Sequence, residues 1–142
     1  MFKTAEPRRA DLAALILRLS FGAIILAHGL IKLFVFTPAG TAGFFESLGL
    51  PGALGYAVMA GEIAAGVALI AGVLTRAASI ALIPVLLGAL WAHAGAGFLF
   101  SNPGGGWEFP ALLVALAVVQ AILGAGAYAL KVPGLSGRLA LA

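Results

Sequence analysis

Five side chains in this sequence could do acid–base or hydrogen-bonding chemistry, and all five sit in or beside long apolar stretches. They are His28 and Lys32 in "ILAHGLIKLF", Glu62 in "AGEIAAG", His93 in "LWAHAG" and Glu108 in "GGGWEFP". Histidine and lysine donate hydrogen bonds, and a carboxylate accepts them or relays protons. Ionisable groups inside a membrane are costly, so their default interpretation is a functional site. Glu62, His28 and Lys32 are the residues expected to act catalytically. His93, Trp107 and Glu108 are expected to border a bound cofactor. No metal site is expected, and without a cysteine the chain offers no thiolate ligand, disulfide or dithiol step.

The surrounding elements follow from composition. Of 142 residues, 63% are hydrophobic and 9% charged. A soluble domain carries roughly a quarter charged residues. Mean hydropathy is +1.15, and too little polar surface exists to cover a water-soluble globule. The expectation is one membrane domain over residues 1–142. The net charge of +3 includes no basic run longer than Arg8-Arg9, which excludes a nucleic-acid footprint. The basic N-terminus resembles a signal peptide, but its apolar stretch is too long and Arg18 interrupts it. A retained transmembrane helix is expected.

A bilayer core of ~30 Å needs roughly 20 apolar residues per helix. Four segments qualify, over 12–36, 54–74, 77–97 and 109–130. Loops rich in Gly and Pro, or the short "LTR", separate them. The fold class is therefore an all-α integral membrane protein, a four-transmembrane-helix bundle. Lys3, Arg8, Arg9, Arg76, Lys131 and Arg138 all fall on one side of such a bundle, and Glu46 and Glu108 on the other. Positively charged loops stay inside, so both termini are expected in the cytoplasm and the protein in the cell inner (cytoplasmic) membrane.

By helix rise, Lys32 lies ~6 Å and His28 ~12 Å below the outer end of the first span, and Glu62 ~12 Å below the outer end of the second. With His93 and Glu108 they populate the outer half of the membrane on four helices. At ~100° per residue, Arg18, Gly22, Ile25, Gly29 and Lys32 form one stripe, with His28 at its edge. Glu62 and Gly66 share a face, and Ala60, Ala64, Ala68 and Gly72 form a small-residue ridge suited to close helix contact. Blander accounts compete. Lys32 can snorkel to headgroups, His93 can be interfacial, and Glu62–Lys32 can be a purely structural ion pair. Arg18 is expected to be an anchor that snorkels or pairs with Asp11. Aromatic residues concentrate on the outer side, which suits a pocket or a docking surface better than a two-rimmed belt.

The same residues carry a resemblance. "LRLSFGAIILAHGLIKLF", "FFESLGLP" and "GEIAAGVALIAGVLTRAAS", over Leu17 to Ser79, resemble the DoxX family of small four-span membrane proteins. The resemblance implies that Arg18, His28, Lys32, Glu62 and Arg76 are the motif residues. Members are similar to the membrane subunit of thiosulfate:quinone oxidoreductase and to membrane partners of redox and detoxifying enzymes. Three functions stay open. One is a quinone-linked membrane subunit, with quinone as the candidate cofactor and no flavin, iron–sulfur or haem signature beside it. The second is a non-enzymatic scaffold for a protein partner or a homo-oligomer. The third is a small proton-coupled transporter. Haem held by His28 and His93 is disfavoured, because their depths differ by ~6 Å.

Overall fold

Prolines and glycines punctuate the chain, and the helices between them follow those breaks. The computed structural model describes residues 6–130 and 132, with side chains described from Arg9 onward. Lys3, Lys131, Arg138 and the Arg8 side chain, four of the basic groups from which cytoplasmic termini are expected, lie outside that description. The described residues contain helices and no strand. They are α1 (Glu6–Phe34), α2 (Pro38–Ser47), α3 (Gly52–Ala71), α4 (Thr75–His93) and α5 (Glu108–Leu123), with a short 3-10 turn at Ala94–Ala96.

Helix α1 tolerates Pro7 because the first helical turn needs no amide donor there. Thr37 starts α2, its Oγ1 accepting from the Gly40 amide at 3.2 Å, with Pro38 at the first helical position. Gly72 ends α3 in the left-handed conformation, φ 76°. Among the described residues, three helices are long and apolar enough to cross a membrane, spanning Arg9–Phe34, Gly52–Ala71 and Thr75–Ala96. Helix α5 is apolar but has 16 residues, or ~24 Å against a hydrocarbon core of ~30 Å.

The fourth apolar segment was expected to run to residue 130, but the helix stops at Leu123. Gly124 and Gly126 both take φ 72° and turn the chain. Residues 124–130 instead cross the ends of α1 and α3. The Ala127 amide donates to Asp11 Oδ1 at 2.9 Å, and the Leu130 amide to the Ala71 carbonyl at 3.1 Å.

Arg18 joins that crossing and corrects the expectation of a snorkelling anchor. It is only 2% exposed. Its guanidinium donates to the carbonyls of Leu69 at 3.3 Å, Ile70 at 2.5 Å and Tyr128 at 2.6 Å. The last carbonyls of a helix lack intrahelical partners, so Arg18 satisfies α3's end, while Asp11 is engaged by Ala127.

Helix α1 packs on α3, and α4 on α5. The α1–α3 approach is close because of glycine. A Cβ on Gly66 would stand 2.7 Å from the Leu26 amide nitrogen, and one on Gly29 would stand 2.7 Å from Ile63 Cγ1. Small residues at such contacts let backbones meet. This contact uses Gly22, Gly29 and Gly66 rather than the expected alanine ridge, since Ala60 and Ala64 are exposed. Buried stripes at three- and four-residue spacing converge between the helices. Phe21, Ile25, Leu69, Leu82, Leu86, Leu113 and Ala117 form the central core. Toward the crossing segment the buried residues turn polar, with Arg18, Thr75, Ser79 and Gln120. Toward α2 they turn polar again, at Glu62.

Candidate functional site at the α2 end

Lys32 and Glu62 meet across the α1–α3 contact. The ammonium donates to both carboxylate oxygens, at 2.7 Å to Oε2 and 3.0 Å to Oε1. Glycine explains the reach. Gly29, one turn before Lys32, lies against Ile63, and Gly66, one turn after Glu62, lies against Leu26. With larger residues there, the two side chains could not close this distance. The Glu62 side chain is 7% exposed and that of Lys32 20%. A buried carboxylate with a paired cation keeps its charge without the cost of standing alone.

The pair forms the polar part of a cavity of about 420 Å³. Its position follows from the α3–α4 turn. These helices are joined through only residues 72–74 at one end, and the cavity lies between their other ends. Leu54, Val58 and Glu62 line it from α3, and Pro84, Gly88 and Trp91 from α4. Phe44 and Phe45 of α2, with Leu48 just after it, also line it. Helix α2 is held there by Thr41, which is buried and donates through Oγ1 to the Lys32 carbonyl at 3.2 Å. On α4, Gly88 leaves room: a Cβ there would meet nothing within 4 Å, and Pro84 lies one turn before it on the same wall.

The other expected site residues lie elsewhere. His28 Nδ1 sits 2.8 Å from the Ile24 carbonyl oxygen. A carbonyl only accepts, so Nδ1 donates the hydrogen in this contact. The ring stacks on Phe109 of α5, with centroids 5.8 Å apart, and is not part of the cavity wall. His93, Trp107 and Glu108 organise the α4–α5 loop. His93 Nδ1 lies 2.9 Å from the Gly104 carbonyl, Glu108 Oε1 accepts from the Phe100 amide at 2.9 Å, and Trp107 packs edge-on against Phe98 at 4.9 Å. Lys32 and Glu62 thus meet on the cavity wall, while the loop set engages partners within its own loop and does not line that cavity. The cavity residues Val58, Pro84 and Gly88 escaped sequence analysis, while Trp91 belongs to the outer-side aromatics that pointed to a pocket or docking surface.

Chemically, the arrangement offers a cationic donor beside apolar and aromatic walls, with a carboxylate fixing that donor's position. A family model described as DoxX matches residues 13–95, a stretch that includes His28, Lys32, Glu62 and His93 but not Trp107 or Glu108. No curated protein and no solved structure matches the chain.

Proposed function

The chain belongs to the DoxX family, and on that premise we propose that it is an integral membrane subunit of a redox or detoxification system whose α2-end cavity receives a quinone. The observation that carries this reading is the Lys32–Glu62 ion pair on the wall of an otherwise apolar cavity. Lys32 supplies the hydrogen-bond donor that a quinone carbonyl needs. Glu62 orients that donor and relays the protons that accompany reduction. His28, one turn away on α1, is a second proton-transferring group. His93, Trp107 and Glu108 hold the loop beside the cofactor. The apolar walls accept the tail, and electrons come from a partner protein or a soluble donor.

The whole chain serves as one membrane domain. The loop charges favour cytoplasmic termini in the inner membrane, which puts the cavity in the outer half of the bilayer. Reporter fusions at the C-terminus that are active only outside the cell would reverse that orientation.

The direct test is extraction of the protein in native lipid, followed by identification of what accompanies it. Quinone at near-stoichiometric ratio supports the redox reading. A second polypeptide without quinone supports the scaffold instead. That second reading has its own observation, the exposed small face of α3 at Ala57, Ala60, Gly61 and Ala64, which suits contact with another helix.

A further inference from the structure

An ammonium group has three donors. Both Glu62 oxygens lie within hydrogen-bond distance of Lys32 Nζ and take at most two of the three, and Lys32 itself lines the cavity. The cation is also the more open partner, 20% exposed against 7% for Glu62. The pair therefore presents a donor to the cavity and keeps its carboxylate behind. Its net charge is zero. An anionic headgroup entering this apolar space would add an uncompensated charge and compete with Glu62 for Lys32, a costly arrangement at low dielectric. A carbonyl or ether oxygen would accept the remaining hydrogen and add no charge. The volume of about 420 Å³ falls within the common ligand-pocket range of roughly 300–1,000 Å³. Leu54 and Trp91, on the two flanking helices, are 42% and 58% exposed, so the cavity opens on the bundle's flank. In a membrane that flank faces lipid.

We propose that this cavity selects uncharged, lipid-dissolved molecules by a single hydrogen-bond acceptor received by Lys32, and that the Lys32–Glu62 pair rejects anionic amphiphiles such as ionised fatty acids. The proposal rests on the reading of the cavity as the ligand site, and it extends beyond quinones to any neutral molecule bearing such an acceptor. Trp91 makes it measurable, because it lines the cavity and its fluorescence reports an occupant.

The test is fluorescence quenching of the full chain in nanodiscs at pH 8. Three probes are compared, a bromoalkyl ketone, the bromoalkyl carboxylate of equal chain length and a short-tailed benzoquinone. Ketone and quinone are expected to quench saturably and at least tenfold more tightly than the carboxylate. The saturable component should vanish in Trp91→Phe, which removes the reporter. It should also vanish in Gly88→Leu, which fills the cavity from a position where a side chain meets open space, with the thermal midpoint retained. Lys32→Met with Glu62→Gln should weaken ketone binding about tenfold and narrow the ketone–carboxylate ratio by the same factor, because the ketone loses its donor while the carboxylate gains no cation. Equal affinity for ketone and carboxylate overturns the proposal, as does saturable quenching that survives Gly88→Leu. Quinone binding without ketone binding overturns the single-acceptor rule and leaves the redox reading intact. Ketone binding without quinone binding does the reverse. Binding of neither probe removes both.

Discussion

Two cations lie on one face of α1, about 21 Å apart by helix rise, and both reach α3. Arg18 meets carbonyl oxygens at the C-terminal end of α3 and on the crossing segment. Lys32 meets the carboxylate of Glu62. The first arrangement draws on the unpaired carbonyls and negative dipole end that any helix C-terminus supplies. It is filled with protein, since a Cβ on Gly72 would stand 3.1 Å from the guanidinium carbon and 2.7 Å from Ala129. The second arrangement needs a dedicated acid, and it stands beside open space. Both solve the problem of a charge in an apolar bundle, but only Lys32 keeps a donor where a small molecule could use it. The difference gives Arg18 an architectural role and leaves Lys32–Glu62 as the candidate site. Between them, Phe21, Ile25 and their partners form an apolar layer that insulates one from the other.

The comparison breaks most decisively at Arg18. Arg18→Met removes donors from three carbonyls and frees the crossing segment from α1. Losing one side of a buried charged network costs about 3–5 kcal/mol. The expected outcome is a sharp fall in yield and in detergent thermal midpoint, with no specific effect on ligand affinity in whatever fraction folds. Arg18→Lys should rescue only part of this, because the compact ammonium does not reproduce the planar fork whose two nitrogens reach α3 and the crossing segment. An Arg18→Met variant as stable as the parent would remove the architectural assignment.

A smaller effect sharpens the other half. Gly66→Val places a side chain against the Leu26 backbone and forces α1 away from α3. Overpacking of this kind costs about 1–3 kcal/mol. Unlike Arg18→Met, it should also weaken probe binding in the cavity, because the same displacement lengthens Lys32–Glu62. The measurement is the ratio of affinity loss to stability loss in the two variants. Equal ratios would mean that the two ends of the bundle are not separable.

How much of this was legible beforehand differs between the two ends. The Lys32–Glu62 contact was readable because both residues have unusual types for their depth and both have glycines on the same face. Period and residue type carry that information. Arg18 was misread because its partners are backbone carbonyls, which have no residue signature, and because the segment that supplies Tyr128 looked like continued helix. Only Gly124 and Gly126 hinted at the turn. The loop residues show what depth leaves out. Depth along a helix put His93 and Glu108 in the outer half of the membrane with the pair, but depth says nothing about azimuth. The structure gives each a local backbone or aromatic partner instead. The cavity itself comes from the divergence of α3 and α4, a tertiary property that no single segment encodes.

The smallest expected change in stability is the most informative about function. Glu62→Gln keeps a hydrogen-bond acceptor for Lys32 but removes the opposing charge. Leaving a buried group without its partner costs on the order of 1–3 kcal/mol, and the 20% exposure of Lys32 favours the low end, because the side chain can extend toward the headgroups. Adding Lys32→Met removes the remaining charge and should return stability to within about 1 kcal/mol of the parent, as charge pairs replaced together often do. Thermal midpoints of the parent, both single variants and the double variant form the cycle that isolates the pair. Function should not follow stability. If the pair is a site, the double variant stays folded and yet loses both quinone reduction in a reconstituted assay and the tight binding of neutral probes that Lys32 supports. If the pair only fixes helix register, the double variant regains activity along with its midpoint. A single Glu62→Gln protein as active and as stable as the parent would remove the need for any charge here and favour the scaffold.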